Sequence, residues 1–452
     1  MKSVALHNLG CKVNGYELDV MQQMLQEKGY KIVPFDEQAD IYIVNTCTVT
    51  NIADRKSRQM LHKARKMNPD AVVVAAGCYV QTGREDILKD AGVDLAIGNN
   101  RKKDLVGILE EYMQKNNEKT TEVSEASRAM KTDKTLGNTT ILDIGTVKEY
   151  ENMTLTATAE HTRASIKIQD GCNQFCSYCI IPYARGRVRS RSKEDILKEI
   201  KGLSDKGYKE VVLTGIHISS YGTDFGQPEL LELIRRIHET EGISRIRLGS
   251  LEPRIITEEF AQGLRELPKI CPHFHLSLQS GCDETLKRMN RHYTAGEYFE
   301  KVNLLRRVFT DPAITTDIIT GFPGETDEEF EITKEFLEKI KFYEMHVFKY
   351  SKRNGTRAAV MENQVPDQEK TRRSNLLLKM AHKYSMEYRS HYIGKNVEVL
   401  FEEEIQEEGR TYQTGHTKQY VKAARQTTEN LSNCLIDGKI TGFLTDDILV
   451  ME

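Results

Sequence analysis

Three short apolar runs near the start of the chain, VALHNLGC, DIYIVNTC and AVVVAAGC, each end in a cysteine: Cys11, Cys47 and Cys78. The spacings of 36 and 31 residues suit strand-helix-strand units, because a parallel strand returns only after a crossover of about a dozen residues or more, usually a helix. After Cys11, the positions Leu18, Met21 and Leu25 recur at helical period. The pattern predicts a parallel sheet. Open parallel sheets gather ligands at the carboxyl ends of their strands, so the three cysteines are expected to converge on one edge. A lone cysteine is an ordinary small core residue. Three at equivalent positions point instead to a site built from three thiolates.

A second series of repeats begins near Ala164. The runs SIKIQ, EVVLTG, RIRLGS, FHLSLQ, ITTDIITG and MHVFKY alternate with amphipathic segments. One of these segments places Ile196, Ile200 and Leu203 on one face, and another opens with the capping pair Thr326 and Glu329. Six strand-helix units predict an α/β fold, a (β/α)6 partial barrel of the TIM type, with its chemistry at the C-terminal strand ends. The last residues change character: VEVLFEE, TYQTGHT, YVKAA, CLIDGKI and DDILV read as five strands of a small β-barrel. The expected organisation is an N-terminal parallel α/β domain over 1–113, a polar linker over 114–157, the barrel over 158–388 and the β-module over 389–452.

The stretch DGCNQFCSYCII places Cys172, Cys176 and Cys179 within eight residues, just after the first barrel strand. A structural zinc site ordinarily wants four side-chain ligands, so three leave it short. A disulfide cannot use three. An iron-sulfur cube held by three thiolates keeps one iron open to a substrate or cofactor. The other bulk features agree with a reduced, cytoplasmic setting: MKSVALHNLG lacks the regions of a secretory signal, and no apolar run is long enough to span a bilayer. Nine cysteines in 452 residues then read as metal ligands and core residues rather than a disulfide framework. Cys271, Cys282 and Cys434 fit neither triplet and are expected to be structural. The net charge of −3 argues against coating nucleic acid nonspecifically, but two runs, Arg55 to Lys66 and Ala184 to Lys193, concentrate positive charge that can meet phosphates or form a solvated helix face.

The spacing Cys172-x3-Cys176-x2-Cys179, with Tyr178 before the last cysteine, resembles the signature of the radical S-adenosylmethionine superfamily. The resemblance implies a [4Fe-4S] cluster whose fourth iron is chelated by S-adenosylmethionine, and it suggests cofactor contacts from Tyr178, Thr214, Gly215, Ser250, Glu252, Gln279, Asp317 and Gly321. LTGIHISSYG lacks the usual Gly-Gly-Glu pattern for the methionyl amine. The segments LGCKVNGYE, VNTCTVTN, AAGCYVQ, GCNQFCSYCIIPYARGRVRSR, LSLQSGCDETLKRMNR and DIITGFPGETDEEF extend the likeness to the methylthiotransferase family. In that family a TRAM module, the small β-barrel associated with RNA, closes the chain. Carried over, Cys11, Cys47 and Cys78 hold a second [4Fe-4S] cluster bearing sulfide or polysulfide, and S-adenosylmethionine serves as both methyl donor and radical source.

GCKVNGYE and NTCTVTN look most like the group that acts on threonylcarbamoyladenosine. The expected reaction is methylthiolation of the adenine 2-carbon of N6-threonylcarbamoyladenosine 37 in tRNA. The substrate carboxylate suits an arginine fork, for which Arg185, Arg187, Arg189 and Arg191 are the candidates. The resemblance further implies tRNA, an external electron donor such as flavodoxin or ferredoxin, and a sulfur source as partners, with no membrane involved. Two alternatives stand beside this reading: N6-isopentenyladenosine in tRNA as substrate, and a non-catalytic iron-sulfur protein that binds RNA.

Overall fold

The apolar runs do become parallel strands. The computed structural model describes residues 1–83, 87, 92–122, 139–157 and 162–452, and its chain divides into two units. The first comprises Met1–Thr158, Gln169–Phe175 and Cys179–Arg191; the second comprises Ala159–Ile168, Cys176–Tyr178 and Ser192–Glu452. Among the described residues no helix is long and apolar enough to cross a membrane.

In the first unit, β1 (Ser3–Asn8), β2 (Lys31–Val33), β3 (Ile41–Thr46), β4 (Val72–Gly77), β5 (Leu95–Ile97) and β6 (Thr139–Thr140) form one parallel sheet in the order β2-β1-β3-β4-β5-β6. All six residues of β3 are buried, as expected of a strand covered on both faces. Val4, Ile41, Ile43 and Val74 pack on one side with Tyr16, Val20, Met21 and Leu25 of the helix Lys12–Glu27. Tyr42, Val44 and Val73 pack on the other with Leu61 and Ala64 of the helix Asn51–Met67. That second helix carries the basic run and buries only Ser57, Leu61 and Ala64, so most of its charges lie on a solvated face.

The described residues of the expected linker carry fold of their own. A helix runs over Leu105–Glu122, across the boundary placed at 113. Beyond it, β6 pairs with β5, Met153 and Leu155 join the core, and the Tyr16 hydroxyl donates to the Met153 carbonyl at 2.6 Å. A polar composition hid these few apolar anchors. Residues 123–138 of that stretch lie outside the described residues.

In the second unit the six parallel strands β7 (Arg163–Asp170), β9 (Glu210–Gly215), β10 (Arg245–Leu248), β11 (His273–His275), β12 (Ala313–Thr320) and β13 (Glu344–Lys349) follow one another in an open arc. The residues of β7 up to Ile168 belong to this unit. Its last two, Gln169 and Asp170, pair antiparallel with β8 (Arg189–Ser190) inside the first unit. Ile196, Ile200 and Leu203 are buried as the spacing predicts, and the Thr326–Glu329 capping box is present. The strands β14 (Asn396–Glu407), β15 (Arg410–His416), β16 (Lys422–Gln426), β17 (Leu435–Thr445) and β18 (Ile448–Met451) close into the expected small barrel.

That barrel is fastened to the arc by buried charge. Arg247 on β10 donates to Glu210 at 2.7 and 3.2 Å, to the Lys418 carbonyl at 2.8 Å and to the Thr417 carbonyl at 3.3 Å. Arg245 donates to the carbonyls of His416 and Glu398. Tyr420 stacks against His273 and His416, with Arg163 and Arg247 over its ring at 4.9 and 4.8 Å.

Candidate functional site

In the first unit the strand register fixes where the thiols fall. Thr46 on β3 is the partner of Gly77 on β4, and Asn8 on β1 is the partner of Asn45. Cys47 and Cys78 therefore leave their strands side by side, and Cys11 follows one short turn beyond β1. Gly10 and Gly77 make those turns, with φ of 115° and 100°. A Cβ on Gly77 would stand 2.7 Å from Asn45 Oδ1, and one on Gly10 would stand 3.1 Å from Cys47 Sγ. Only glycine tolerates both the conformation and the approach. All three thiols are free, with Cys47 and Cys78 buried and Cys11 open to solvent. Burial pushes the Cys47 thiol up to about 11, with Cys78 and Cys11 adding to the rise and Arg185 opposing it. Although the residue as a whole is exposed, neighbours crowd the Cys11 thiol and that burial raises its pKa, against the pull of Arg185. The three cysteines thus share one electrostatic environment centred on Arg185.

Arg185 is the last residue of the short helix Ile181–Arg185 and has no exposed surface. Its Nε donates to Cys78 Sγ at 3.1 Å, and Asn99 Nδ2 approaches the same sulfur at 3.5 Å. Nη1 donates to Glu17 at 2.5 Å and Asp170 at 3.2 Å; Nη2 donates to Asn14 at 2.6 Å and Glu17 at 3.0 Å. Burial works against its charge, yet Cys78, Glu17 and Asp170 together hold its pKa well above the ordinary guanidinium value. A sulfur that receives two N–H donors, one of them cationic, is suited to a metal-bound thiolate. The residues present therefore fit an anionic iron-sulfur group.

This placement corrects the reading of the arginine run. Arg185, Arg189 and Arg191 are exposed by 1% or less, so none of them is open to a substrate carboxylate. Arg185 is committed to Cys78, Arg189 lies 3.8 Å from Asp170, and Arg191 donates to Tyr16 and Thr154. Basic residues next to a cysteine motif read as a surface strip in sequence because the carboxylates that bury them, Glu17 and Asp170, come from elsewhere. Arg187 is the exposed member, with its guanidinium 4.4 Å from the Phe175 ring centroid.

Of the second triplet, Cys172 and Cys179 fall in the first unit and Cys176 in the second. Cys172 N donates to the Gly186 carbonyl. In the second unit, Ser177 N donates to the Met289 carbonyl and Ala358 N to the Ser177 carbonyl, which anchors Cys176 to Tyr178. Tyr178 meets Phe322 edge-on at 6.4 Å. Arg291 Nη1 donates to Cys176 Sγ at 3.2 Å, while its Nε donates to Tyr293. Arg291 escaped the sequence reading, although it closes the quoted segment LSLQSGCDETLKRMNR.

Apart from Tyr178 in the cysteine loop and Asp317 within β12, the expected cofactor contacts occupy strand ends or the turns after them. Thr214 is buried and Gly215 half-buried at the end of β9; Ser250 is exposed and Glu252 buried after β10. Glu252 accepts from Arg254 Nε at 2.7 Å. Gln279 adopts φ 73° and is bonded through its backbone to Asp317 and Ile319. Gly321 N donates to Glu325, which pairs with Arg373. Asp317 Oδ2 lies 3.2 Å from His275 Nε2, and its ladder partner on β13 is His346. The next pair on that face is Ile319 and Phe348, the latter 48% exposed. His346 and Phe348 were not singled out in sequence, where strand period alone cannot say which face lines a barrel. His217 is neutral: burial first, then Arg291 and Arg254, lower its pKa to about 4.

Two family models match the chain: the Radical SAM superfamily over residues 166–337 and Uncharacterized protein family UPF0004 over residues 3–98. The threonylcarbamoyladenosine tRNA methylthiotransferase MtaB of Bacillus subtilis is 40% identical over 442 residues, 97% of this chain and 94% of that protein. The tRNA-2-methylthio-N(6)-dimethylallyladenosine synthase of Acetivibrio thermocellus is 36% identical, over 89% of this chain and 81% of that protein. Among solved structures, the radical S-adenosylmethionine methyltransferase TsrM of Kitasatospora setae shares the fold at 15% identity and a TM-score of 0.54, covering 79% of this chain and 74% of that one. With the cysteine triplet after the first barrel strand and likeness along nearly the whole chain, this protein belongs to the radical S-adenosylmethionine methylthiotransferase family.

Proposed function

We propose that this enzyme methylthiolates the adenine 2-carbon of N6-threonylcarbamoyladenosine 37 in tRNA. Cys172, Cys176 and Cys179 would hold the [4Fe-4S] cluster that binds S-adenosylmethionine, and Cys11, Cys47 and Cys78 would hold a second cluster that carries the sulfur. Bound there, these groups supply hydrogen abstraction from an unreactive carbon and insertion of a methylthio unit. The observation that carries the reading is the gathering of Cys11, Cys47 and Cys78 around one buried arginine at the carboxyl edge of a parallel sheet. A non-catalytic protein would have no need of two triplets that each leave a coordination position open.

The chain's own residues have definable tasks. Arg291 donates to Cys176 and stabilises that sulfur as thiolate. Neutral His217 offers hydrogen bonding at the strand ends without adding charge there. Thr214, Gly215, Ser250, Glu252, Gln279, Asp317 and Gly321 would contact the cofactor, as residues at the C-terminal side of a parallel barrel do. Phe348, exposed beside His346, presents a face on which a base can stack. Arg187 is the accessible guanidinium of the basic run for a phosphate or the substrate carboxylate. The β14–β18 barrel would bind tRNA, and an external reductant and a sulfur source would serve the clusters.

The test is mass spectrometry of tRNA nucleosides from cells lacking this gene and from cells with it restored. Loss of the methylthio-threonylcarbamoyl nucleoside, build-up of its precursor and recovery on restoration are the expected results. Loss of the methylthio-isopentenyl nucleoside instead would keep the chemistry and replace the substrate, a distinction made worthwhile by the 36% identity to the Acetivibrio thermocellus protein.

A further inference from the structure

The first unit buries a cluster of paired charges next to a sulfur. Arg185, Lys102 and Arg189 are all essentially without exposed surface, and the carboxylates they meet are Glu17 and Asp170. A buried guanidinium is costly in a low-dielectric interior unless anionic or accepting groups surround it, and one edge of Arg185 meets a sulfur. The guanidinium points the way. Four of its hydrogen bonds go to Asn14, Glu17 and Asp170, which fix it as a rigid fork, and the remaining N–H is aimed at Cys78 Sγ.

We propose that Arg185 is a positioning residue for the second cluster: it orients Cys78 through its N–H on that sulfur and, by that hydrogen bond and its fixed charge, raises the cluster's reduction potential. The inference rests on the reading of Cys11, Cys47 and Cys78 as cluster ligands. A hydrogen bond to a cluster sulfur and a nearby positive charge both favour the reduced, more negative state. Glu17 acts in the opposite sense, since it neutralises part of the same charge. The carrier of the fork is notable: Arg185 stands six positions after Cys179, so the segment that supplies the last thiol of one triplet also supplies the donor to a thiol of the other.

The experiment uses the full chain with Cys172, Cys176 and Cys179 all replaced by alanine, so that only the second cluster remains. After anaerobic reconstitution, iron is counted and the midpoint potential is read by titration followed with electron paramagnetic resonance. In this background about four irons per chain are expected. Arg185→Gln should shift the potential negative, Arg185→Lys should recover part of that shift by keeping the charge, and the isosteric Glu17→Gln should shift it positive. Full iron with the same potential in all three variants would overturn the inference and leave Arg185 as a structural tie. A parent protein that binds no iron would overturn the cluster reading itself, and the inference with it. If Arg185→Gln fails to fold, the signs for Arg185→Lys and Glu17→Gln still decide: a negative and a positive shift support the proposal, and no shift in either refutes it.

Discussion

Replacing Arg247 with methionine should loosen the β14–β18 barrel from the strands it rests on, and the size of the effect follows from what the guanidinium holds. It makes two bonds to Glu210 and one each to the carbonyls of Thr417 and Lys418, and it lies over Tyr420. Methionine keeps the aliphatic volume and none of these. Glu210, with no exposed surface, would retain Arg245 at 3.8 Å and Arg163 farther off. Breaking a buried ion pair by removing one partner costs about 3–5 kcal/mol, much of it from the charge left behind. At about 1.4 kcal/mol per factor of ten, local opening should become roughly a hundred to a few thousand times more frequent. Amide hydrogen exchange across β14–β18 reads this without requiring two-state unfolding of the whole chain. The decisive comparison is the double variant Arg247→Met with Glu210→Leu, which removes the stranded carboxylate and should recover a large part of the loss. A double variant that exchanges as fast as the single one would refute the charge argument and assign the whole effect to the lost carbonyl contacts.

Other outcomes follow from the same structure. Cys176→Ala should abolish reductive cleavage of S-adenosylmethionine, whereas Cys47→Ala should preserve cleavage and stop sulfur insertion; deoxyadenosine release and modified-nucleoside yield separate the two. Burial alone would raise the pKa of Glu210, but Arg247, Arg163 and Arg245 outweigh it and hold the folded pKa below the ordinary 4.5. The stabilisation it contributes is therefore intact above pH 4.5 and is lost as the pH falls through the lower folded value. The difference in urea midpoint between the wild-type protein and Glu210→Gln should stay constant down to about that pH and shrink below it. Arg187→Ala should weaken tRNA binding and flatten its salt dependence by about one phosphate contact, measured by filter binding at several ionic strengths.

The parts of the fold that follow local rules were legible in the sequence. Three strand-ending cysteines at crossover spacing gave the parallel sheet and the meeting of Cys11, Cys47 and Cys78, and helical period gave Ile196, Ile200 and Leu203. Long-range charge pairing was not legible. Glu17 and Arg185 are 168 positions apart, and nothing in ARGRVRSR distinguishes a buried fork from a solvated one until its carboxylates are in place. Composition misled over 139–157, where Met153 and Leu155 are few but sufficient to enter the core. The arc gives His346 and Phe348 meaning only because β12 and β13 pair in a register that sets them beside Asp317 and Ile319.

The interleaving of the two units bears on how the protein is made. Asn14 and Glu17 emerge from the ribosome long before Asp170 and Arg185, yet the helix Lys12–Glu27 buries both of them. Until the later segment arrives, Lys102 is the buried cation available to Glu17, and Cys78 lacks its arginine donor. Chains are synthesised from the N-terminus, and domains ordinarily fold as they appear. Here the first unit must wait for residues through Arg191 before Asn14, Glu17 and Cys78 gain their arginine partner. A nascent chain stalled before Asp170 should remain protease-sensitive, and cluster loading at Cys11, Cys47 and Cys78 becomes a late event of biosynthesis.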